Sequence, residues 1–218
     1  MSAPCGCTGP HAGRRLVLTG GPGAGKTAVL ELVRKYFCQP VRVLPEAAGI
    51  LFGGGFPREP SEAARKAAQR AIFHVQRQLE AAVGSAEAPA ITLCDRGTLD
   101  GLAYWPGPPE ELLTEVGSSR EAELSRYDAV IHLRTPSVAL GYDHSNSLRI
   151  EPAALAAEID ARIEDAWQGH PRRFIVDSRS DFLAKAAEAL RLLRGELPAC
   201  CRGHVVPEVA GERVRGPS

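Results

Sequence analysis

The sequence predicts an α/β fold, in which one parallel sheet is covered by helices on both faces. Five short apolar segments alternate along the chain with segments of helical periodicity. These apolar segments are continuous rather than interleaved with polar residues, which is typical of parallel strands that are buried on both faces. The 218 residues suffice for one sizeable domain, and neither an internal repeat nor a linker divides them.

The strands and helices can be placed from hydrophobic periodicity and from the glycine, proline and capping residues that end each segment. Strands are predicted at 15–19, 41–44, 90–95, 129–133 and 174–176. Helices are predicted at 26–37, 61–83, 110–116, 119–126, 152–167 and 181–193, with Ser61 and Ser180 as N-caps. The glycines and prolines of residues 50–60 predict a loop. The apolar stripe of the longest helix is expected to contain Ala64, Ala68, Ala71, Ile72, Val75 and Leu79.

Composition bounds the organisation of the chain. Residues 1–13 are expected to form a flexible arm, residues 14–195 the domain, and residues 196–218 a loosely held tail. The 26 basic and 26 acidic residues balance, so no overall field attracts nucleic acid or a membrane surface. No apolar run reaches the length of a membrane span, and no hydrophobic signal-peptide core is seen. A cytoplasmic location is expected.

A glycine-rich turn joins the first strand to the first helix. It fits the pattern G-x-x-x-x-G-K-[ST] at every fixed position, between a strand and a helix as that motif requires. Its backbone N–H groups and the helix dipole suit a phosphate, Lys26 suits the β- and γ-phosphates, and the Thr27 hydroxyl suits Mg²⁺. We therefore expect a nucleoside triphosphate here. The predicted binding residues are Gly20, Gly21, Pro22, Gly23, Ala24, Gly25, Lys26, Thr27 and Ala28.

Two acidic positions follow predicted strands, where ligands bind in parallel α/β folds. Asp95 ends the third strand and Arg96 follows it. That carboxylate suits Mg²⁺, and the arginine suits a phosphate or the oxyanion of an acceptor; the alternative is an exposed ion pair. Glu46 follows the second strand, where a carboxylate can take the proton of an attacking hydroxyl. The alternative for Glu46 is a helix-capping or surface acid.

A polar segment at residues 142–150 follows the fourth strand. It carries Gly141 as a possible hinge on one side and Arg149 near its end. Mobile lids that bring an arginine to the phosphates are common in phosphoryl transfer, so this segment is a candidate lid with Arg149 as a catalytic cation. The alternative is that Arg149 only pairs with Glu151.

The cysteines do not predict a metal site. No C-x-x-C spacing repeats among the six. The candidate ligands near the two ends of the chain are Cys5, Cys7 and His11, and Cys200, Cys201 and His204. Both groups lie in Pro/Gly-rich sequence, and two adjacent cysteines rarely ligate one ion, so zinc is not favoured.

Other polar and aromatic residues remain ambiguous. His74 and His132 have no matched partner in the sequence and are expected to be structural. Tyr104 and Trp105 fit either stacking on a base or packing in the core.

The motifs together resemble a known family. The segments that carry the resemblance are Gly20–Thr27, Leu44-Pro-Glu-Ala-Ala48, Gln69-Arg-Ala-Ile-Phe-His-Val-Gln76 and Cys94-Asp-Arg-Gly-Thr-Leu-Asp-Gly101. They are similar to the AAA-domain-labelled group of small P-loop proteins, which is related to nicotinamide riboside kinases and, more distantly, to deoxynucleoside and thymidylate kinases. Residues 146–151 and 167–185 also match that group. The resemblance covers about residues 14–194.

The resemblance implies a P-loop NTPase fold of the nucleoside/nucleotide-kinase type, with strand order 2-3-1-4-5. It implies ATP and Mg²⁺ at the P-loop, an acceptor between Glu46 and the Asp95–Arg96 pair, and an adenine-side loop near residues 177–180. The implied activity is transfer of the γ-phosphate of ATP to a nucleoside, a nucleotide or nicotinamide riboside. Because residues 142–150 are poor in arginine and some animal relatives look like trafficking proteins, the alternative is a nucleotide switch or regulatory ATPase that acts through a protein partner.

Three other classes are disfavoured by the sequence. A GTPase should carry an Asn-Lys-x-Asp motif, and none is present. A ring-forming AAA motor needs a second acid after the Walker B acid, where Arg96 stands, and a helical lid domain for which the chain is too short. A nucleic-acid enzyme should show a basic patch with interleaved aromatic residues, and the arginines at 172–173 and in the tail are too few.

Overall fold

One parallel sheet of five strands organises the chain. The computed structural model describes residues 11–37, 41–83, 89–136, 153–178 and 181–202. Within these residues the strand order is β2-β3-β1-β4-β5, so the predicted fold class and the order 2-3-1-4-5 are confirmed. The strands are β1 (Arg14–Thr19), β2 (Val41–Leu44), β3 (Ile91–Asp95), β4 (Ala129–Leu133) and β5 (Arg173–Val176).

The described part of the chain also contains seven α-helices and two 3₁₀ helices. The α-helices are α1 (Lys26–Tyr36), α2 (Ala47–Gly53), α3 (Glu62–Ala81), α4 (Glu110–Glu115), α5 (Arg120–Leu124), α6 (Ala153–Ala166) and α7 (Phe182–Glu196). The 3₁₀ helices are Thr98–Tyr104 and Ala199–Cys201. None of the helices in the described ranges combines the length and the apolarity needed to cross a bilayer.

The sheet separates two apolar cores, because successive side chains of a strand point to opposite faces. Leu16 and Leu18 of β1 face one core, which is completed by α1 and α7. Val17 faces the other, where Trp105 and Trp167 are fully buried beside residues of α3, α4 and α6. The register pairs Leu18 with Asp95 of β3. Therefore the turn that leaves β1 starts between the carboxyl ends of its two neighbours, β3 and β4.

The predicted loop at residues 50–60 is partly wrong, because α2 continues to Gly53. The helix starts with small and apolar residues, and Ala47 is buried against the rest of the domain. Gly54 and Gly55 then end the helix, with Gly55 at a φ of 94°. The glycines therefore terminate a helix that the sequence pattern assigned to the loop.

The predicted apolar stripe of α3 agrees only in part with the observed buried face. Of the six expected residues Ala68 is buried and the other five are half-buried, while the remaining buried residues of the helix are Phe73, Gln76 and Glu80. Two polar side chains can occupy this face because they are paired there: Glu80 accepts hydrogen bonds from Gln76, at 2.9 Å, and from the Tyr127 hydroxyl, at 2.8 Å. Apolar periodicity alone does not detect a buried acid with partners.

The start and end of α7 also differ from the expectation. Its N-cap is Asp181, whose side chain accepts a hydrogen bond from Leu183 N at 2.8 Å, and not Ser180, which lies outside the described residues. The helix continues to Glu196, and Leu197 and Cys201 are buried in the core that α1 and α7 complete. Glu196, Leu197 and Cys201 are thus buried in the domain, although the predicted division assigns them to the tail. The division of the chain otherwise stays a prediction.

Candidate active site

The turn between β1 and α1 has the backbone geometry of a phosphate-binding loop. Gly20 has a φ of 134°, and a Cβ atom at this position would lie 2.0 Å from the carbonyl oxygen of Leu133. Gly25 precedes α1 in the left-handed region, with a φ of 95°. Only glycine fits such a combination of positive φ and close packing. The backbone conformation at these two positions is therefore set by close packing against neighbouring segments.

Lys26 lies folded back over this loop. Its Nζ donates hydrogen bonds to the carbonyl oxygens of Gly20, at 2.7 Å, and Gly21, at 2.9 Å. Burial lowers the pKa of Lys26 to about 7, and the nearby charge of Arg96 acts in the same direction, against the carboxylates of the site. An amine held in this way can exchange two backbone acceptors for phosphate oxygens.

The residues that follow β2 and β3 meet beside the lysine. Arg96 donates from Nε to Oε1 of Glu46 at 2.7 Å and from Nη1 to Oδ2 of Asp100 at 3.2 Å. Burial raises the pKa of Asp95 to about 6, and the charge of Glu46 adds to this effect against those of Lys26 and Arg96. Because these five groups interact electrostatically, they form one cluster at the carboxyl edge of the sheet.

Glu46 occupies the N-cap position of α2, but its side chain makes no capping hydrogen bond. It is directed to Arg96 instead, and 38% of its side chain is exposed. The carboxylate is thus held at one oxygen while part of it faces solvent. This arrangement suits a group that must meet a substrate.

Asp100 is a buried member of the cluster that sequence reasoning missed. Its two carboxylate oxygens accept hydrogen bonds from the hydroxyl of Thr19, at 2.6 Å, and from Nε1 of Trp167, at 2.6 Å. The contact with Arg96 adds a charge-assisted bond. The i,i+4 spacing of Arg96 and Asp100 in a segment directly after a strand-ending acid is the sequence signal that could have found it.

A second missed acid supports the phosphate-binding loop from the other side. Asp160 of α6 accepts hydrogen bonds from Gly21 N at 2.6 Å and from Thr135 N at 2.9 Å, and its Oδ1 lies 3.0 Å from Nε2 of His132. Burial opposes ionisation of Asp160, but the His132 contact and the two backbone bonds outweigh it and lower the pKa. The signal in the sequence is an acid on the same helix face as the apolar stripe of α6, which includes Ala156 and Ile163.

Two residues of α7 approach the same loop. Lys185 is buried and donates from Nζ to the carbonyl oxygens of Ala24, at 2.8 Å, and Arg134. Burial lowers the pKa of Lys185 to about 8. The ring of Phe182, which is 41% exposed, lies 2.7 Å from the position that a Cβ atom of Gly25 would occupy. An exposed aromatic ring therefore borders the loop at the start of α1.

The other predicted residues have different positions. Thr27 and Ala28 are exposed in the first turn of α1. Trp105 is buried in the core, while the ring of Tyr104 lies under the guanidinium of Arg96, 5.6 Å from Cζ to the ring centroid. Arg149, with the whole segment 142–150, lies outside the described residues.

The two histidines that were expected to be structural differ in burial. His74 is exposed, with its ring edge-on to Phe73. His132 is fully buried and contacts Asp160. The partner of His132 lies 28 residues away in sequence, which is why no local pattern revealed it.

The strand order and the loop between β1 and α1 define a P-loop fold of the nucleotide-kinase type. A family model described as an AAA domain matches residues 15–185, and the chain belongs to that family. Among solved structures, the chain is similar to deoxyadenosine kinase from M. mycoides with bound dATP, with a TM-score of 0.56 and 15% sequence identity. That match covers 83% of this chain and 98% of the kinase, and it shows the fold. No curated protein matches.

Proposed function

We propose that this protein binds ATP with Mg²⁺ and transfers the γ-phosphate to a hydroxyl group of a small metabolite. The acceptor class is a nucleoside, a nucleotide or nicotinamide riboside. The observation that carries the proposal is the convergence of Lys26, Glu46, Asp95 and Arg96 beside one phosphate-binding loop. Phosphoryl transfer is achieved by positioning and by charge around the transferred group, and this edge of the sheet supplies both.

In this proposal Lys26, Thr27 and Asp95 bind the nucleotide and its metal. Phosphate oxygens would replace the two loop carbonyls that Lys26 now contacts, since an anion is the stronger acceptor. The Thr27 hydroxyl and the Asp95 carboxylate are hard oxygen donors of the kind that Mg²⁺ prefers, and they would hold the ion. Bound Mg²⁺ neutralises charge on the β- and γ-phosphates.

In this proposal Glu46 and Arg96 act on the acceptor. A half-exposed carboxylate held by one oxygen can receive the proton of an attacking hydroxyl, and the arginine that holds it can also contact the transferred group. Asp100 fixes Arg96 from the buried side, so the guanidinium has little freedom to leave this position. Asp100 is therefore a positioning residue.

In this proposal Phe182 stacks on the purine base of ATP. It is one of the few large apolar side chains that are exposed in the described residues, and it borders the loop at Gly25. A purine ring gains stacking energy on such a surface. We place the base against Phe182, next to the predicted adenine-side loop, of which residues 177 and 178 belong to the described structure.

The second candidate is a nucleotide switch or regulatory ATPase with a protein partner. One observation favours it: Lys26 donates hydrogen bonds to the carbonyls of its own loop, and Glu46 is paired with Arg96. A site whose charges already satisfy one another can turn over slowly and change shape on binding. A cytoplasmic location and the lack of a nucleic-acid partner stay predictions from the sequence.

Release of ADP across a panel of hydroxylated metabolites distinguishes the two functions. We expect one class of nucleoside, nucleotide or riboside to stimulate ADP release well above the rate with ATP alone. Slow release that no compound in the panel changes would support the switch and contradict the kinase. Glu115→Gln, a change in an exposed ion pair with Arg70, is the control for nonspecific loss of activity.

A further inference from the structure

Three side chains from the two ends of the chain meet at one point of the structure. They are His11, just before β1, and Cys200 and Cys201, in the short 3₁₀ helix after α7. The two cysteine sulfurs lie 3.8 Å apart, and Nε2 of His11 lies 3.6 Å from Sγ of Cys200 and 3.4 Å from Sγ of Cys201. The cluster is unrelated to the phosphate-binding loop and rests on none of the functional proposals above.

These separations are those of the edges of a tetrahedral zinc site. Zinc lies about 2.3 Å from a thiolate sulfur and about 2.0–2.1 Å from an imidazole nitrogen. With tetrahedral angles, two sulfurs are then about 3.8 Å apart, and a sulfur and a nitrogen are about 3.6 Å apart. All three observed distances lie within about 0.2 Å of these expected separations. One ion could therefore contact the three atoms with little movement.

The surrounding contacts hold this arrangement in place. Cys201 is fully buried, and the 3₁₀ helix places the adjacent sulfur of Cys200 on the same side. Arg14 of β1 is paired with Glu196 at the end of α7, with 2.7 Å between Nη1 and Oε2. This pair fixes the strand that follows His11 against the helix that precedes the cysteines. Adjacent cysteines rarely ligate one ion, but here the sulfurs of Cys200 and Cys201 lie on the same side and both can contact it.

We propose that His11, Cys200 and Cys201 form a structural zinc site that fastens the end of the chain to the strand that carries the P-loop. A tetrahedral zinc ion takes four ligands, so one further side chain or a water molecule would complete the site.

The role of the site is structural because of its position. His11 lies beyond the amino end of β1, whereas the phosphate-binding loop begins at the carboxyl end of that six-residue strand. At about 3.3 Å per residue, the strand separates the two sites by roughly 20 Å.

Metal analysis of untagged protein, purified without chelator, is the direct test. We expect about one zinc per chain. His11→Ala, Cys200→Ser and Cys201→Ser should each lose most of it. His74→Ala, which alters an exposed histidine on α3, and Cys94→Ala, which removes a buried thiol in β3, should retain it. Wild-type protein that contains no stoichiometric zinc and takes up none on titration overturns the proposal, and so does full retention in all three variants.

Cobalt substitution of the wild-type protein keeps the proposal testable if a variant fails to fold. Thiolate-to-cobalt charge-transfer bands count the sulfur ligands. Two thiolates support the described site with a nitrogen or water as the fourth ligand, and three support it with one further cysteine as the fourth ligand. One thiolate or none overturns it. Removal of the metal should also lower the melting temperature of the wild type, because an ion that binds only the folded chain stabilises it.

Discussion

The carboxylate of Glu46 and the guanidinium of Arg96 form an ion pair of 2.7 Å between Oε1 and Nε. The pair connects the carboxyl ends of β2 and β3, because Glu46 lies two residues after β2 and Arg96 directly follows β3. Arg96 also has a φ of 70°, which is unusual for a residue with a side chain. Such a conformation persists where the surroundings determine it, and it often marks a functional site. The pair is the geometric centre of the proposed acceptor site.

Glu46→Gln should slow phosphoryl transfer by about 10²–10⁴-fold, because the amide cannot take the proton of the acceptor. The affinity for ATP should stay nearly unchanged, since the general base acts on the acceptor. Single-turnover kinetics and calorimetry measure the two quantities separately. Equal losses in rate and in ATP affinity would show that Glu46 supports the nucleotide rather than the acceptor.

Asp95→Asn should raise the Mg²⁺ concentration needed for half-maximal rate, because the metal loses a carboxylate ligand. The wild type should show the same change as the pH falls through about 6, because the raised pKa of Asp95 leaves the group protonated below that value. A metal titration at several pH values measures this. The variant should lack the part of the pH dependence that belongs to Asp95, and an identical pH profile in both proteins would contradict the assignment.

Binding of ATP should be accompanied by proton uptake above pH 7. Burial lowers the pKa of Lys26 to about 7, so at about pH 8 the amine is mostly neutral before ATP binds. The triphosphate favours the charged amine, and up to about one proton is then taken up. Calorimetry in two buffers of different ionisation enthalpy detects it. Lys26→Arg should bind without this uptake, because a guanidinium stays protonated; uptake that persists in Lys26→Arg would assign the proton elsewhere.

Phe182→Ala should weaken ATP binding by roughly 5- to 150-fold, which corresponds to the 1–3 kcal/mol that stacking on one aromatic ring typically contributes. Leu183→Ala is the matched control, because Leu183 is the next residue and is more exposed, at 58%. Fluorescence titration with an ATP analogue compares the two variants. Equal affinity in Phe182→Ala and Leu183→Ala would place the base elsewhere.

Arg126→Ala should lower the free energy of unfolding by about 1–3 kcal/mol, because buried Glu80 loses its closest ion-pair partner and keeps only the more distant Arg15. Arg126 pairs with Glu80 and Glu123, whose side chains are both 0% exposed. Arg70→Ala removes a surface pair with Glu115 and should cost at most about 1 kcal/mol. Denaturant unfolding measures both, and equal costs would show that the buried pair contributes no more than the exposed one.

The sequence predicted the sheet and the phosphate-binding loop well, because both depend on local patterns. The continuous apolar strands and the motif from Gly20 to Thr27 can each be recognised from a short stretch of consecutive residues. The class of fold and the strand order that the family resemblance implied both agree with the structure.

The features that were missed depend on partners far away in sequence. Asp160 contacts Gly21 across 139 residues, and Asp100 contacts Trp167 across 67. The meeting of His11 with Cys200 spans 189 residues, so neither end of the chain reveals it alone. Buried polar groups are stabilised by specific partners, and hydrophobic periodicity carries no information about which partners meet.

The fate of the γ-phosphate is the most direct test of the proposed phosphoryl transfer. ATP labelled in the γ-phosphate is incubated with the wild-type protein, Mg²⁺ and each metabolite of the panel, and the products are separated. We expect the label in a phosphate ester of one nucleoside, nucleotide or riboside acceptor, and no ester with folded Lys26→Ala. Label that appears only as inorganic phosphate with every acceptor, while Lys26→Ala stops its release, would contradict transfer to a metabolite and leave an ATPase.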